Sequence, residues 1–342
     1  MSGHGSTVAA STISGGGALR ASLRCAELPT WLVAAAIYGG WLLLTLHASL
    51  LPWWIAAPAL GCIIAWHNSL QHEAIHGHPT RHRAVNDVLG MLPLGLWIPF
   101  HAYRRVHLAH HRVSRLTDPD ADPESFYFTA AQWRRMPPAA RRLMIFNNTL
   151  LGRLSVGPAI VAARYWWAEL RALAGRDGRR VVREWWPHLA LVALLLWWVT
   201  AVCGMAFWVY LLAAFVGLSL TLHRSFNEHR PARGRDSRSV TVEASPFWRL
   251  LYLGNNFHAL HHRRPDLPWF RLRETHRAEC GGRSEAANGF AYRGYADIFA
   301  RYAVRPRDMP VHPFAADTGR PPPPRPSRRI AGGGARGNFD AG

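Results

Sequence analysis

Residues Gly254 to Trp269 read Gly-Asn-Asn-Phe-His-Ala-Leu-His-His-Arg-Arg-Pro-Asp-Leu-Pro-Trp. On a helix, His258, His261 and His262 fall at i, i+3 and i+4, so three imidazoles leave one face within reach of a common point. That is a metal site in outline, although a polar interfacial helix would explain one such triplet as well. The triplet is not alone. His107, His110 and His111 repeat the H-x-x-H-H spacing, and His72-Glu-Ala-Ile-His76 adds an i, i+4 pair. Eight histidines in three clusters need a common explanation, and neutral imidazole is a general ligand for first-row transition metals.

The clusters border two apolar runs. Leu28 to His72 contains no Arg, Asp or Glu, and neither does Trp185 to His223. A helical crossing of a bilayer core takes roughly 20 apolar residues, so each run has room for two. A soluble protein could bury one such run as a core helix. Two of them, each broken by a turn signal at Leu50 to Trp54 or at Cys203-Gly204, argue for two membrane hairpins, with spans expected at 30–48, 54–71, 187–203 and 206–223. The shorter run Val88 to Tyr103 is interrupted by Pro93 and Pro99. It reads as re-entrant or interfacial, because a full crossing would put His72 and His107 on opposite sides of the membrane. Residues 126–183 alternate aromatic and Arg-rich pieces, as expected of an amphipathic region lying on the bilayer. The expected fold class is therefore all-α and integral to the membrane. Four transmembrane helices in two hairpins carry a cytoplasmic helical cap, 72–186 and 224–312, that bears the histidines. A disordered segment, 1–27, and a Pro/Arg/Gly-rich tail, 313–342, flank this 28–312 domain.

The net charge of +19 invites a nucleic-acid reading, but its placement argues otherwise. All 40 basic residues are arginines, which reflects coding bias more simply than recognition, and no compact recognition motif accompanies them. Neither hairpin turn holds an arginine, while the N-terminal flank, the segment between the hairpins and everything after His223 do. By the positive-inside tendency both termini and the central segment are cytoplasmic, with a bacterial inner membrane as the expected location. Cys25, Cys62, Cys203 and Cys280 are too scattered for a disulfide framework or a thiolate site. Two further motifs are weighed and set aside. His72-Glu73-Ala-Ile-His76 matches the H-E-x-x-H of zinc proteases, but such an enzyme needs no H-x-x-H-H clusters. Thr117 to Glu124, Thr-Asp-Pro-Asp-Ala-Asp-Pro-Glu, lacks the glycine and the final acid of a calcium loop and reads as a turn whose carboxylates back the metal ligands.

The ordered set HEAIHGH, HLAHH and NFHALHH, with hairpins between and Pro265, Pro268 and Trp269 after the last, resembles the membrane fatty acid desaturase and hydroxylase superfamily over roughly residues 28–277. The resemblance implies a non-haem di-iron centre held by His72, His76, His107, His110, His111, His258, His261 and His262. A further ligand is implied just after the fourth membrane helix, where His229 matches best and His223 is the alternative. Ser225 stands where acyl-CoA-type members of the family carry an asparagine, although Asn227 is near, so a tenth, water-mediated ligand is not assigned. Asn256 is a candidate either for supporting a ligand or for capping the third-cluster helix. His67, His78, His82 and His101 have ordinary interfacial roles as their default.

The implied activity is an O2-dependent oxidoreductase that introduces a C=C bond into a fatty acyl substrate with two iron ions. Its electrons come from outside, from a ferredoxin, a rubredoxin or a haem protein. A hydroxylase or ketolase, with a small non-lipid substrate among the options, shares the same histidines. A metal-binding receptor or scaffold without turnover is the third expectation, and redox-inert zinc would mark it.

Overall fold

The computed structural model describes residues 27–233, 238–279 and 291–315. Most of the expected disordered ends, 1–27 and 313–342, lie outside the described residues, as do Cys25 and Cys280. Helix α1 (Leu28–Leu46) has a proline in its first turn, where the missing N–H costs nothing. A tight turn at Ala48–Leu50 and an extended Pro52 reverse the chain into α2 (Trp53–Ile75). Next come α3 (Arg83–Met91) and α4 (Phe100–His111), separated by a loop that holds Pro93 and Pro99. The run Val88 to Tyr103 is thus broken, and neither helix is long enough to cross a bilayer alone. Four helices follow: α5 (Ala130–Arg135), α6 (Pro138–Asn147), α7 (Leu150–Ser155) and α8 (Gly157–Leu173). Helix α9 (Gly178–Trp197) continues through a wider turn at Trp198–Val202, and Gly204, at φ 64°, starts the reversal into α10 (Phe207–Ser225). The remainder is β1 (Thr241–Val242), α11 (Pro246–Leu251), α12 (His258–Arg263), α13 (Trp269–Glu279), β2 (Ala291–Tyr292) and α14 (Tyr295–Tyr302). The two short strands pair in parallel, Thr241 with Ala291 and Val242 with Tyr292.

Helix α2 is the centre of the molecule. It meets α10 at two glycines: a Cβ on Gly61 would come within 2.5 Å of Val216, and one on Gly217 within 2.4 Å of Ile64. That close crossing buries Ala57, Leu60 and Ile64 against Ala213 and Ala214. Some buried polar atoms of the bundle find partners in series, as an apolar interior favours. Trp41 Nε1 donates to Tyr210 Oη at 3.0 Å, and Tyr210 Oη donates to Leu94 O at 3.1 Å.

Three described helices are long and apolar enough to cross a membrane: Leu28–Leu46, Gly178–Val202 and Phe207–Ser225. The fourth expected span, 54–71, is the body of α2, which does not meet that measure. Its second half holds the polar His67, Asn68, Gln71, His72 and Glu73, and apart from Trp53, Trp54, Ile55 and Pro58 its side chains are buried or half-buried.

Candidate metal centre

The polar end of α2 meets the ends of two other helices. His72 lies in the last turn of α2, with His76 just after it. His107, His110 and His111 close α4, and His258, His261 and His262 line the short α12. Leu253 at φ 43° and Gly254 at φ 68° turn the chain from α11 toward α12. His229 comes from the turn after α10, bridged to Ser239.

These side chains form two groups, His72, His76, His107, His111 and His261 in one, His110, His229, His258 and His262 in the other; within each, the nitrogens lie within 4.8 Å of one another. The triplets therefore do not converge on a single point. Each H-x-x-H-H sends its first and last histidines to one group and its middle one to the other, and α4 and α12 do so in opposite senses. Helix geometry requires this: i and i+4 are about 40° apart around the axis, whereas i+3 and i+4 are about 100° apart. The groups adjoin where the His111 and His262 rings stack at 4.2 Å.

Partners on Nδ1 fix how the rings are presented. His110 Nδ1 donates to Asp122 at 2.7 Å, His107 Nδ1 to Glu124 at 3.1 Å, and His258 Nδ1 to Asn255 at 3.0 Å. Each of these rings then keeps a bare lone pair on Nε2. Yet His107 Nε2 lies 3.1 Å from Nε2 of both His76 and His111, and His110 and His258 Nε2 each lie 3.0 Å from His229 Nε2. Nitrogens this close must share a proton or a cation, and one proton can bridge only one pair, whereas His107 Nε2 and His229 Nε2 each meet two others. Two nitrogens about 2.1 Å from one ion sit about 3 Å apart when they are neighbours in its shell, so the residues fit a metal. His72 Nε2 and His261 Nε2 are buried without any hydrogen-bond partner, as ligand atoms would be.

The electrostatics follow from burial and crowding. Burial, then His107 and His111, push His76 down to about 2; burial, then His107 and His110, push His111 down to about 3. Both are neutral at any working pH. Burial acts the same way on His110, but the Glu124 charge and the Asp122 hydrogen bond outweigh it and raise His110 to about 9. Burial would raise Glu124, but His107 and His110 hold its carboxyl well below the usual range.

The expected carboxylate turn is present. Asp122 also accepts the backbone N–H of Thr117 and Glu124, and Asp118 accepts those of Asp120 and Ala121. Sequence reasoning missed Asn255, which holds His258, and picked Asn256 instead; Asn256 donates to Val242 O and, among the described residues, its side chain neither hydrogen-bonds to a histidine nor caps α12. Asn227 and Asn256 Oδ1 have no protein partner and border a cavity of about 10 Å3 beside His258, room for about one water. His223 lies outside both groups, bonded to Tyr252 Oη at 2.8 Å. His78 pairs with Glu27 at 2.7 Å and His67 with Tyr38 at 3.2 Å. Glu73 accepts the Trp269 N–H at 3.0 Å at the start of α13, a structural tie rather than a base facing open space.

A cavity of about 530 Å3 opens beside the histidines, bordered by His107, His229 and His258. Leu96, Trp97, Ile98, Val106, Leu218 and Leu222 give it an apolar wall, and Asn68, Gln71 and Thr221 a polar one. No curated protein matches the chain. The profile of the family described as Fatty acid desaturase matches residues 48–286, which takes in all three histidine clusters, His229 and the carboxylate turn. The chain belongs to the fatty acid desaturase family.

Proposed function

We propose that the protein is an oxygen-dependent membrane desaturase that introduces a C=C bond into a fatty acyl substrate at a pair of non-haem iron ions. The observation that carries this reading is the arrangement of the histidines in two adjoining groups, Nε2 lone pairs inward, beside a cavity. His72, His76, His107, His111 and His261 would hold one ion; His110, His229, His258 and His262 would hold the other. An iron pair supplies the reduction of dioxygen and the removal of hydrogen from an unactivated C–H bond, which no side-chain acid or base can begin.

The chain's own residues do the rest. Asp122, Glu124 and Asn255 keep His110, His107 and His258 in the tautomer that presents Nε2. The apolar wall of the cavity orients the substrate and keeps water from the reacting carbon. In the same reading α2 is the fourth membrane crossing, paired with α1 as α9 is with α10. The clusters then lie at one membrane face, which the arginine distribution supports as cytoplasmic, in a bacterial inner membrane. A ferredoxin, rubredoxin or haem protein would dock on that basic face and deliver electrons.

A hydroxylase or ketolase would share the hydrogen removal and then add oxygen. The polar wall of Asn68, Gln71 and Thr221 is the feature that favours this alternative, with a smaller and more polar substrate. Metal analysis and product mass test both readings. Purified protein should hold about two iron ions per chain, one for each histidine group, lost in His110→Ala and His261→Ala. Cells that express it should accumulate a product lighter by a hydrogen pair. A product heavier by one oxygen would replace desaturation with hydroxylation, and zinc in place of iron would remove both.

A further inference from the structure

The two histidine groups are unequal: the first offers five nitrogens, while His110, His229, His258 and His262 offer four. Ligating imidazole is neutral, so a divalent ion held only by these four keeps its whole charge in a buried place, which is costly without an anion nearby. Four carboxylates line the cavity beside the groups: Asp122, Glu124, Glu169 and Glu228. Three are committed elsewhere. Glu169 lies 2.8 Å from Arg105 and accepts from Trp185 Nε1. Glu228 lies 2.8 Å from Arg224, accepts from Asn255, and stands behind His258 on its Nδ1 side at 3.7 Å. Asp122 is buried, with both oxygens occupied by His110 Nδ1 and backbone N–H groups. Glu124 differs. Its Oε1 accepts from His107 Nδ1 at 3.1 Å, but among the described residues Oε2 has no hydrogen-bond partner. The side chain borders the cavity and is 31% exposed, and Oε2 lies 3.9 Å from His110 Nε2. Two ligands about 2.1 Å from one ion are about 3 Å apart as neighbours and about 4.2 Å apart across it, so 3.9 Å falls within the range that ligands of one ion show.

We propose that Glu124 is the fifth ligand of the ion held by His110, His229, His258 and His262, bound through Oε2 while Oε1 keeps its hydrogen bond from His107. Oε2 is not among the atoms that lie within 4.8 Å of one another, so the carboxylate swings inward as the ion binds, and the cavity beside it leaves room for that movement. Each ion then has five protein ligands, and the added one brings the negative charge that imidazole lacks. His107 belongs to the other group, so this one carboxylate also links the two ions, touching a ligand of the first and the second ion itself. It does so from the side of the cavity, where His229 and His258 meet the substrate.

This rests on the two-ion site of the proposed desaturase, but metal binding tests it without turnover. The probe is Co2+, titrated calorimetrically into metal-free, full-length protein in nanodiscs. His72→Ala with His261→Ala weakens the five-nitrogen group and leaves the other as the tight site; His229→Ala with His262→Ala does the reverse. Glu124→Gln keeps an oxygen for His107 Nδ1 but loses the charge. Added to the first pair of substitutions it should weaken cobalt binding about tenfold or more, and added to the second pair much less. Loss confined to the five-nitrogen group means that Glu124 acts only through His107 and overturns the proposal, as does equal loss, or none, at both groups. Infrared difference spectra between metal-free and cobalt-loaded protein decide the matter if the paired substitutions do not fold. Ligation through one oxygen moves the two C–O stretches of a carboxylate apart, a shift expected in the unsubstituted protein and missing in Glu124→Gln. Its persistence in Glu124→Gln, or its absence from the unsubstituted protein, overturns the ligand. Cobalt binding with the Glu124 shift, in a protein whose host cells make no oxidised product, retains the ligand and removes the desaturase reading. An oxidised product without that shift removes the ligand alone.

Discussion

Asp122 links the turn after α4 to the histidines: it accepts from His110 Nδ1 and from the backbone N–H of Thr117 and Glu124. Asp122→Asn keeps the size but removes the charge and turns one acceptor into a donor, so His110 is no longer held with Nε2 bare. Metal affinity of the His110 group should fall about 10–100-fold, read by chelator competition; Asp118→Asn, whose carboxylate closes the turn without touching a histidine, is the control. A pH effect follows from the same residue. In metal-free protein His110 is raised to about 9, so at neutral pH it carries a proton that a metal must displace. Metal titration in two buffers of different ionisation enthalpy should show proton release near neutral pH that disappears above pH 9, with none from His76 or His111. For stability the sign is that of a raised group: the His110 contribution to the metal-free fold is complete below its unfolded value, about 6.5, and is lost as pH rises through about 9. Glu124 acts oppositely, contributing above its unfolded value and losing that contribution as pH falls. Spacing along the chain revealed the histidines because ligands at a helix end must recur at i+3 and i+4. It could not reveal their division into two groups or the choice of Asn255 over Asn256, which depend on how α4 and α12 face each other.

Helix α2 sets the position of His72 and His76 through its crossing with α10, and that crossing is set by Gly61 and Gly217. Gly217→Leu would drive a side chain into Ile64 and force the helices apart, at a cost of about 1–3 kcal/mol for overpacking. The lower melting temperature in detergent should come with reduced metal content, because the α2 end would leave its partners on α4. A surface substitution of the same helix, such as Phe207→Leu, should change neither. Gly254 is the second sensitive glycine. Its φ of 68° and the 2.8 Å that would separate an added Cβ from Trp269 O mean that Gly254→Ala strains the turn that presents α12. Metal loss with little loss of helix by circular dichroism is the expected signature. The chain reversals at Pro52 and Gly204 and the break between α3 and α4 were legible from proline and glycine placement. The character of α2 was less so: hydropathy separates lipid-facing helices well, but a helix enclosed by others and ending in ligands loses that signal.

The arrangement as a whole makes sense only with a lipid solvent around the bundle. On α9 just 17% of the apolar window is buried, and Leu189, Leu194 and Trp197 are each more than half exposed. On α1, Leu32 and Leu43 are exposed to a similar degree, as is Trp208 on α10. Soluble proteins seldom leave so much contiguous apolar surface open to water. The histidines are buried at the end of this bundle, and Leu218 and Leu222 of α10 line the cavity beside them. Leu194, 58% exposed on the apolar part of α9, provides the test. On the surface of a water-soluble protein Leu194→Arg would change stability by no more than about 0.5 kcal/mol. At the middle of a lipid-facing helix the same change costs about 2.5–3.5 kcal/mol on insertion. Leu194→Arg should therefore sharply lower the amount of protein in the carbonate-washed membrane fraction, while Arg179→Leu, on the charged first turn of α9, should not. Equal recovery of the two variants would remove α9 from the membrane, and with it the hairpin that brings His229 to the other histidines.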